Sequence, residues 1–256
     1  MKYFITSDVH SYYNELMAAL KHQGFEKDNP EHTLICIGDL FDRGPGTVEL
    51  YKFCRELGDR FIYIRGNHEN LLFDLLYEVA VGVTPGYHHL TNGTVETVEA
   101  LTKIPIHLWK EKKDWVLARM AGVRDWIIKK TVNYLEIGDL ILTHGWVPPT
   151  LIEDRASWDL PENRPLWNDA MWLNGMEWWG KGAVIPDKTI VCGHWHTSWA
   201  RYHQGEIPVE FPGRYPNQAT PQEMRKAFAP WMAPGIIALD SCVAHSGFLN
   251  VITVEV

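Results

Sequence analysis

The sequence predicts an α/β sandwich, and three observations carry that expectation. Short apolar runs rich in β-branched residues recur along the chain. Segments with helical spacing separate the first three of them, and Asp, His or Asn stands just past the carboxyl end of most runs. Runs this short read as buried strands, and strands that alternate with helices build a layered α/β fold.

The expected strands are residues 3–7, 33–37, 61–64, 140–143, 189–192, 236–239 and 248–254. Helical spacing covers 12–21 and, behind Pro45, 46–57. Further helices are expected over 70–81, 95–101 and 114–131, the last with Trp115, Leu117, Val123, Trp126 and Ile127 as its apolar positions. Residues 70–135 therefore read as a mostly helical cap inserted into a single domain spanning 1–256. Two stretches, 148–186 and 201–234, are rich in Pro with Trp or polar residues and read as long irregular segments, which in compact domains are commonly functional or disordered.

A chain of 256 residues can bury a substantial core. With 46% hydrophobic and 22% charged residues, wholesale disorder is excluded. The net charge of −8 argues against a general nucleic-acid or acidic-membrane binder, whose surfaces are usually basic. No stretch approaches the roughly 18 apolar residues of a membrane span, and the first eight residues turn polar too early for a secretory signal. Cys36, Cys54, Cys192 and Cys242 show no paired spacing, and two of them sit inside strand runs as small hydrophobes. The expectation is a reduced, cytoplasmic protein.

The informative pattern lies in the residues immediately after the strands. Asp8 and His10 come after the first; Asp39, Asp42 and Arg43 after the second; Gly66-Asn67-His68-Glu69 after the third. His144-Gly145 and Gly193-His194-Trp195-His196 succeed two later ones. Open α/β sheets place their binding crevice at strand carboxyl ends, and a mixture of Asp, Asn and His suits Mn, Fe or Zn at a dinuclear site.

In these motifs, taken in order, the chain resembles the calcineurin-like metallophosphoesterases. Within them it is most similar to the phosphoprotein phosphatases, in the short bacterial and phage branch that holds lambda phosphatase and symmetrical diadenosine tetraphosphatase. The resemblance spans residues 8–256 and implies a double β-sheet sandwich flanked by helices. It implies two divalent metal ions, with manganese the first choice and iron or zinc alternatives. Asp8, His10 and Asp39 would hold the first ion. Asp39 would bridge to a second, completed by Asn67, His144 and His194. A hydroxide bridging the ions would attack phosphorus in line. His68 would be the general acid, oriented by Asp42, while Arg43 and Asn67 would contact the phosphate.

Two features depart from that branch. A second histidine, His196, comes after the Gly193-His194 pair and is expected as a further metal ligand. Asp169 stands where a second phosphate-binding Arg is usual, so either Arg155 or Arg164 replaces it or phosphate contact is weaker. His88, His89, His203 and His245 show no pattern of their own and read as ordinary surface or hydrogen-bonded residues. Most of the twelve tryptophans read as apolar anchors for long loops, although Trp146 and Trp195 adjoin ligand motifs and could line the pocket. The expected activity is hydrolysis of phosphomonoesters in the manner of a Ser/Thr protein phosphatase. The alternative is symmetrical hydrolysis of dinucleoside polyphosphates, and a non-catalytic scaffold or a nuclease ranks lower. The expected substrate is a phosphorylated protein or small phosphate compound, with no membrane partner.

Overall fold

The computed structural model describes residues 1–208 and 219–256. Two five-stranded sheets form its centre. The first sheet contains β1 (Lys2–Ser7), β2 (His32–Ile37), β3 (Phe61–Ile64) and β4 (Thr131–Val132). The second contains β5 (Tyr134–Ile137), β6 (Leu140–Thr143), β7 (Thr189–Cys192), β8 (Trp231–Ala233) and β9 (Ile236–Ala238). The last strand, β10 (Ile252–Glu255), returns to the first sheet and pairs antiparallel with β1. Spatial order is β10-β1-β2-β3-β4 in one sheet and β5-β6-β7-β9-β8 in the other. The strands β1 to β4 run parallel, as do β6, β7 and β9, so their carboxyl ends open on one edge of each sheet.

Side-chain alternation sets the layers, because successive residues of a strand face opposite sides. Ile5, Ile35, Ile37 and Ile64 point inward from the first sheet and meet Leu142, Val191 and Leu239 of the second. Their neighbours Phe4, Leu34, Cys36, Phe61 and Tyr63 point outward. There they receive α1 (Tyr13–His22), α2 (Thr47–Leu57), α3 (Asn67–Val81), α5 (Thr94–Thr102) and α6 (Trp109–Lys130), with α4 (Tyr87–Asn92) in between along the chain. The outer face of the second sheet, with Ile141, Ile190, Cys192 and Ile236, is covered by Trp146, Trp158, Trp167 and Met176. The result is a helix–sheet–sheet–helix sandwich.

The structure departs from the sequence reading in several places. The residues expected as a cap pack on the outer face of the first sheet, in one hydrophobic cluster with β1 to β3, and their last residues belong to β4 and β5. Helix α3 begins at Asn67 rather than residue 70, because Glu69 reaches back to accept the Gly66 N–H at 2.7 Å and caps a polar first turn. In α6 the buried stripe is Trp109, Val116, Met120, Val123 and Ile127; Trp115 falls off it and is 66% exposed. The stretch 248–251 leaves the ladder because Asn250 is clamped elsewhere: its Nδ2 donates to Phe228 O and Leu239 O, each at 2.8 Å. The segment 148–186 is not shapeless, since it carries α7 (Arg164–Ala170) and α8 (Gly175–Gly180). The segment 201–234 takes in the end of α9 (Ser198–His203), then α10 (Pro221–Phe228) and β8; its residues 209–218 lie outside the described ones. The four cysteines are free thiols, three of them buried. Among the described residues no helix is long and apolar enough to cross a membrane.

Ile35 is fully buried between the sheets, so Ile35→Ala is expected to cost about 2–5 kcal/mol. Trp115→Ala should change stability by no more than about 0.5 kcal/mol. Urea unfolding of the two variants checks the layer assignment, and equal losses would contradict it.

Candidate metal centre

The loops that leave β1, β2, β3, β6 and β7 converge at the open edge. Their backbones adopt conformations that L-residues rarely take: φ is 51° at Asp8, 47° at His10, 52° at Asp39, 77° at Asp42, 63° at Arg43 and 65° at His194. Asp and His tolerate the left-handed region better than most side chains, but each such residue still costs of order 1–3 kcal/mol and persists only where neighbours over-determine it. Here they do. Asp8 N–H donates to Gly38 O, His10 N–H to Asp39 O and Gly44 N–H to His10 O, at 3.2, 2.9 and 2.8 Å. Gly66 and Gly193 make room for the carboxylates, since a Cβ at either position would collide with Asp39 or Asp8 respectively.

Asp39 sits at the centre, buried, with a pair of imidazoles on each side. His10 and His68 join it in one cluster, and His144 and His194 in another, with ligand atoms within 4.8 Å of one another in each. His144 Nε2 lies 3.3 Å from Asp39 Oδ1 and 2.9 Å from Asn67 Oδ1. His10 Nε2 is 3.7 Å from Asp39 Oδ2. His10 and His144 share a further feature. One ring nitrogen donates to a main-chain carbonyl, Phe41 O at 3.0 Å for His10 and Ile37 O at 2.9 Å for His144. That bond fixes the tautomer and turns the other nitrogen's lone pair toward Asp39, as metal-ligating histidines require.

His68 is held differently. Its Nδ1–H donates to Asp42 Oδ2 at 2.6 Å, and Asp42 accepts from the Thr97 and Thr94 hydroxyls at 2.6 and 3.0 Å. Burial opposes the charged imidazole, but Asp39 and the Asp42 hydrogen bond outweigh it, so the His68 pKa stands above its ordinary value. Arg43 donates from Nη1 to His10 Nε2 at 3.0 Å and from Nη2 to His68 Nε2 at 3.2 Å.

The charge balance fits a cation-binding site. Burial, then Asp240, then Asp39 push the Asp8 carboxyl well above the usual range. Burial also opposes ionisation of Asp39, but the imidazoles of His144, His68, His10 and His194 outweigh it and hold that carboxyl low. Burial keeps the His10 and His194 imidazoles neutral, His194 down to about 3. Ionised carboxylate beside neutral imidazoles is the ligating form of both, and divalent cations would reverse the mutual repulsion of Asp8, Asp39 and Asp240. The donor set therefore fits a pair of divalent cations sharing Asp39.

Not every expected residue lies in these clusters. Asp8 accepts the His194 N–H at 3.1 and 3.0 Å through its two oxygens, and its carboxylate belongs to neither three-residue group. His196 is placed against Ser198, at 2.7 Å, and near Asp240, also outside both groups. Arg155 is engaged by Glu136, at 2.5 and 2.6 Å, and Arg164 lines a groove with residues 132–136. Trp146 is core, fully buried with its N–H on Ala183 O, whereas Trp172 is 49% exposed and sits edge-on to His194 at 5.9 Å. Sequence reading counts Trp172 among the loop-anchoring tryptophans and misses Asp240 and, on α5, Thr94 and Thr97. It also gives Glu69 no role, although Glu69 is the next residue after His68 and a buried carboxylate there needs partners.

The His194 pKa yields a pH prediction for the metal-free protein. Its folded value lies below the unfolded value near 6.5, so the unfolded chain takes up the proton first as pH falls. Its contribution is present above about pH 6.5 and lost toward pH 3. Between pH 7.5 and 5 the stability difference between wild type and His194→Asn should shrink by on the order of 2 kcal/mol. Urea melts in chelator would show it, and a pH-independent difference would refute the buried neutral imidazole.

The calcineurin-like phosphoesterase family model matches residues 1–208. A symmetrical bis(5'-nucleosyl)-tetraphosphatase of Enterobacter sp. (strain 638) is 27% identical over 168 residues, covering 64% of this chain and 57% of that protein. The asymmetrical bis(5'-nucleosyl)-tetraphosphatase PrpE of Bacillus velezensis is 39% identical over 94 residues, covering 34% of this chain and 38% of its own. The chain thus spans less than two thirds of the length of either relative. A cold-active protein-tyrosine phosphatase of a psychrophilic Shewanella species shares the fold, with a TM-score of 0.51 at 17% identity over 99% of this chain and 75% of that one. With the family model matching most of its length, the chain belongs to the calcineurin-like phosphoesterases.

Proposed function

We propose that the chain hydrolyses phosphoanhydride bonds of dinucleoside polyphosphates at a two-metal centre. The observation that carries this reading is Trp172, a half-exposed ring at the rim of the His144–His194 cluster, where a base can stack while the polyphosphate lies over the metals. The Enterobacter and Bacillus relatives, both bis(5'-nucleosyl)-tetraphosphatases by name, support it over the protein-phosphatase expectation. Arg43 stands against the His10–His68 cluster, whereas Arg155 is tied to Glu136.

Asp39 would bridge the ions. His10, with Asp8 close by, would hold one, and Asn67, His144 and His194 the other. When bound, the pair supplies Lewis-acid activation of water and of the phosphate. His10 Nε2 accepts from Arg43 now, so ligation there requires the guanidinium to swing away. Freed, Arg43 can take two phosphate oxygens at once. His68, distinguished from the ligand histidines by its carboxylate partner, accepts from Arg43 at Nε2 in this arrangement; once that guanidinium swings away, Nε2 would carry the proton for the leaving oxygen, while Asp42 keeps Nδ1 protonated and the ring oriented. His196, whose ring meets the Ser198 hydroxyl at 2.7 Å, stays a candidate further ligand.

Incubation of the manganese-loaded protein with diadenosine tetraphosphate, followed by chromatography, tests the reading. ADP alone means symmetrical cleavage and AMP with ATP asymmetrical; either supports it. Absence of nucleotide products alongside turnover of a phosphothreonine peptide would return the protein-phosphatase assignment. Trp172→Ala should raise KM for the dinucleotide about tenfold, the loss of one stacked base, and leave KM for p-nitrophenyl phosphate unchanged. His68→Asn should lower kcat on the dinucleotide about 10²-fold or more, with a smaller loss on the aryl ester, whose leaving group needs less protonation.

A further inference from the structure

A second group of metal-binding side chains lies away from the strand ends. Glu78, in the last turn of α3, and His88 and His89, on α4, bring their ligand atoms within 4.8 Å of one another. By sequence these histidines read as ordinary surface or hydrogen-bonded residues, which suits the exposed His88 but not His89. His89 is fully buried, yet neither of its ring nitrogens has a hydrogen-bond partner among the described residues. Its Nε2 faces Glu78 Oε2 at 3.5 Å, too far for a hydrogen bond but suited to a shared ion between them. Buried polar groups in native structures are nearly always satisfied, and an unmatched one asks for an ion or a ligand.

The neighbouring geometry is prepared in the same sense. Glu78 Oε2 accepts the Gly86 N–H at 2.9 Å, which aims the carboxylate at the start of α4. The His88 and His89 rings are 3.9 Å apart between centroids, so both imidazoles border the same small volume. Gly86 is constrained by the arrangement, since a Cβ there would press on the His88 ring. Two imidazoles and one carboxylate, with room for water from the exposed His88 side, are the donor set of a tetrahedral borderline cation.

We infer that Glu78, His88 and His89 form a separate binding site for a single divalent ion of the zinc class. It fastens α4 to the end of α3. The segment so fastened leads directly into the support of the main centre: Asn92 Oδ1 accepts from Arg43 at 3.5 Å, Gly93 packs against the Arg43 main chain, and Thr94 and Thr97 hold Asp42. An ion there is a structural clip beneath the Asp42–His68 pair, distinct from the ions that Asp39 shares.

The test counts metal in the full chain and does not depend on the reaction assigned above. Chelator-treated wild type, His88→Ala and Glu78→Gln are re-equilibrated with zinc, passed through a desalting column and measured by atomic emission. Each variant should retain one equivalent fewer than wild type. Equal content in all three would overturn the site. His88 is exposed, so its replacement leaves the fold intact, and melting confirms this. With the main centre saturated by manganese, added zinc should raise the wild-type midpoint by about 5–10 °C at a hundredfold excess over Kd. His88→Ala should lose that rise; keeping it would equally overturn the proposal.

Discussion

The Glu69 carboxylate holds the centre of this structure together. It accepts the main-chain N–H groups of Asp39 and Leu40 at 3.1 Å each, that of Gly66 at 2.7 Å, and the Tyr63 hydroxyl. The loops after β2 and β3 are thereby locked to each other, and with them the left-handed turn that presents Asp39. From that point the geometry propagates. Asp39 accepts the His68 N–H at 3.1 Å, which sets the start of α3 and so the ring that meets Asp42. Burial and Asp39 push the Glu69 pKa up, while its donors pull it down, so the carboxylate depends on a complete hydrogen-bond set.

Parallel strands are what make such a convergence possible. Within each sheet the parallel strands deliver their loops to one edge, and two such sheets packed face to face bring two sets of loops to a common rim. Gly38 and Asp39 come from the first sheet, His144 and His194 from the second. The apolar layer between them, Ile5, Ile35 and Ile37 against Leu142, Val191 and Leu239, sets their separation. Close packing tolerates little volume change, so the spacing of the imidazoles around Asp39 rests on side chains that touch no ligand.

The two outer layers are built by different means. Regular helices cover the first sheet, and their stripes of Leu, Val and Phe supply the contact. The second sheet is covered largely by short turns and brief helices, and indole rings do the covering. Trp146, Trp158 and Trp167 are buried, and each donates its N–H to a carbonyl of its own irregular segment, Ala183, Leu151 and Trp158. A large ring with one polar edge both fills volume and satisfies loop backbone. That is why tryptophan dominates where helices do not, and why most of these rings serve packing while Trp172 remains at the rim.

Much of this was legible in the sequence. The short apolar runs identified the strands of both sheets apart from β4, β5 and β8, which are short or alternate with polar residues and pair at the edges or ends of sheets. The order Asp8-His10, Asp39, Asn67-His68, His144, His194 marked the loops that meet, because each polar motif succeeds an apolar strand whose end is the natural rim. Spacing along the chain carries no information about partners far apart in it. Nothing near Asp42 announces Thr97, 55 residues away, and nothing in the Gly193-His194-Trp195-His196 run says that His194 groups with Asp39 while His196 meets the Ser198 hydroxyl. The unmatched nitrogens of His89 became visible only once α4 was folded against α3. Sequence determined which side chains stand at the strand ends; tertiary structure alone decided which of them face one another, because that depends on loop backbone and on the distance between two packed sheets.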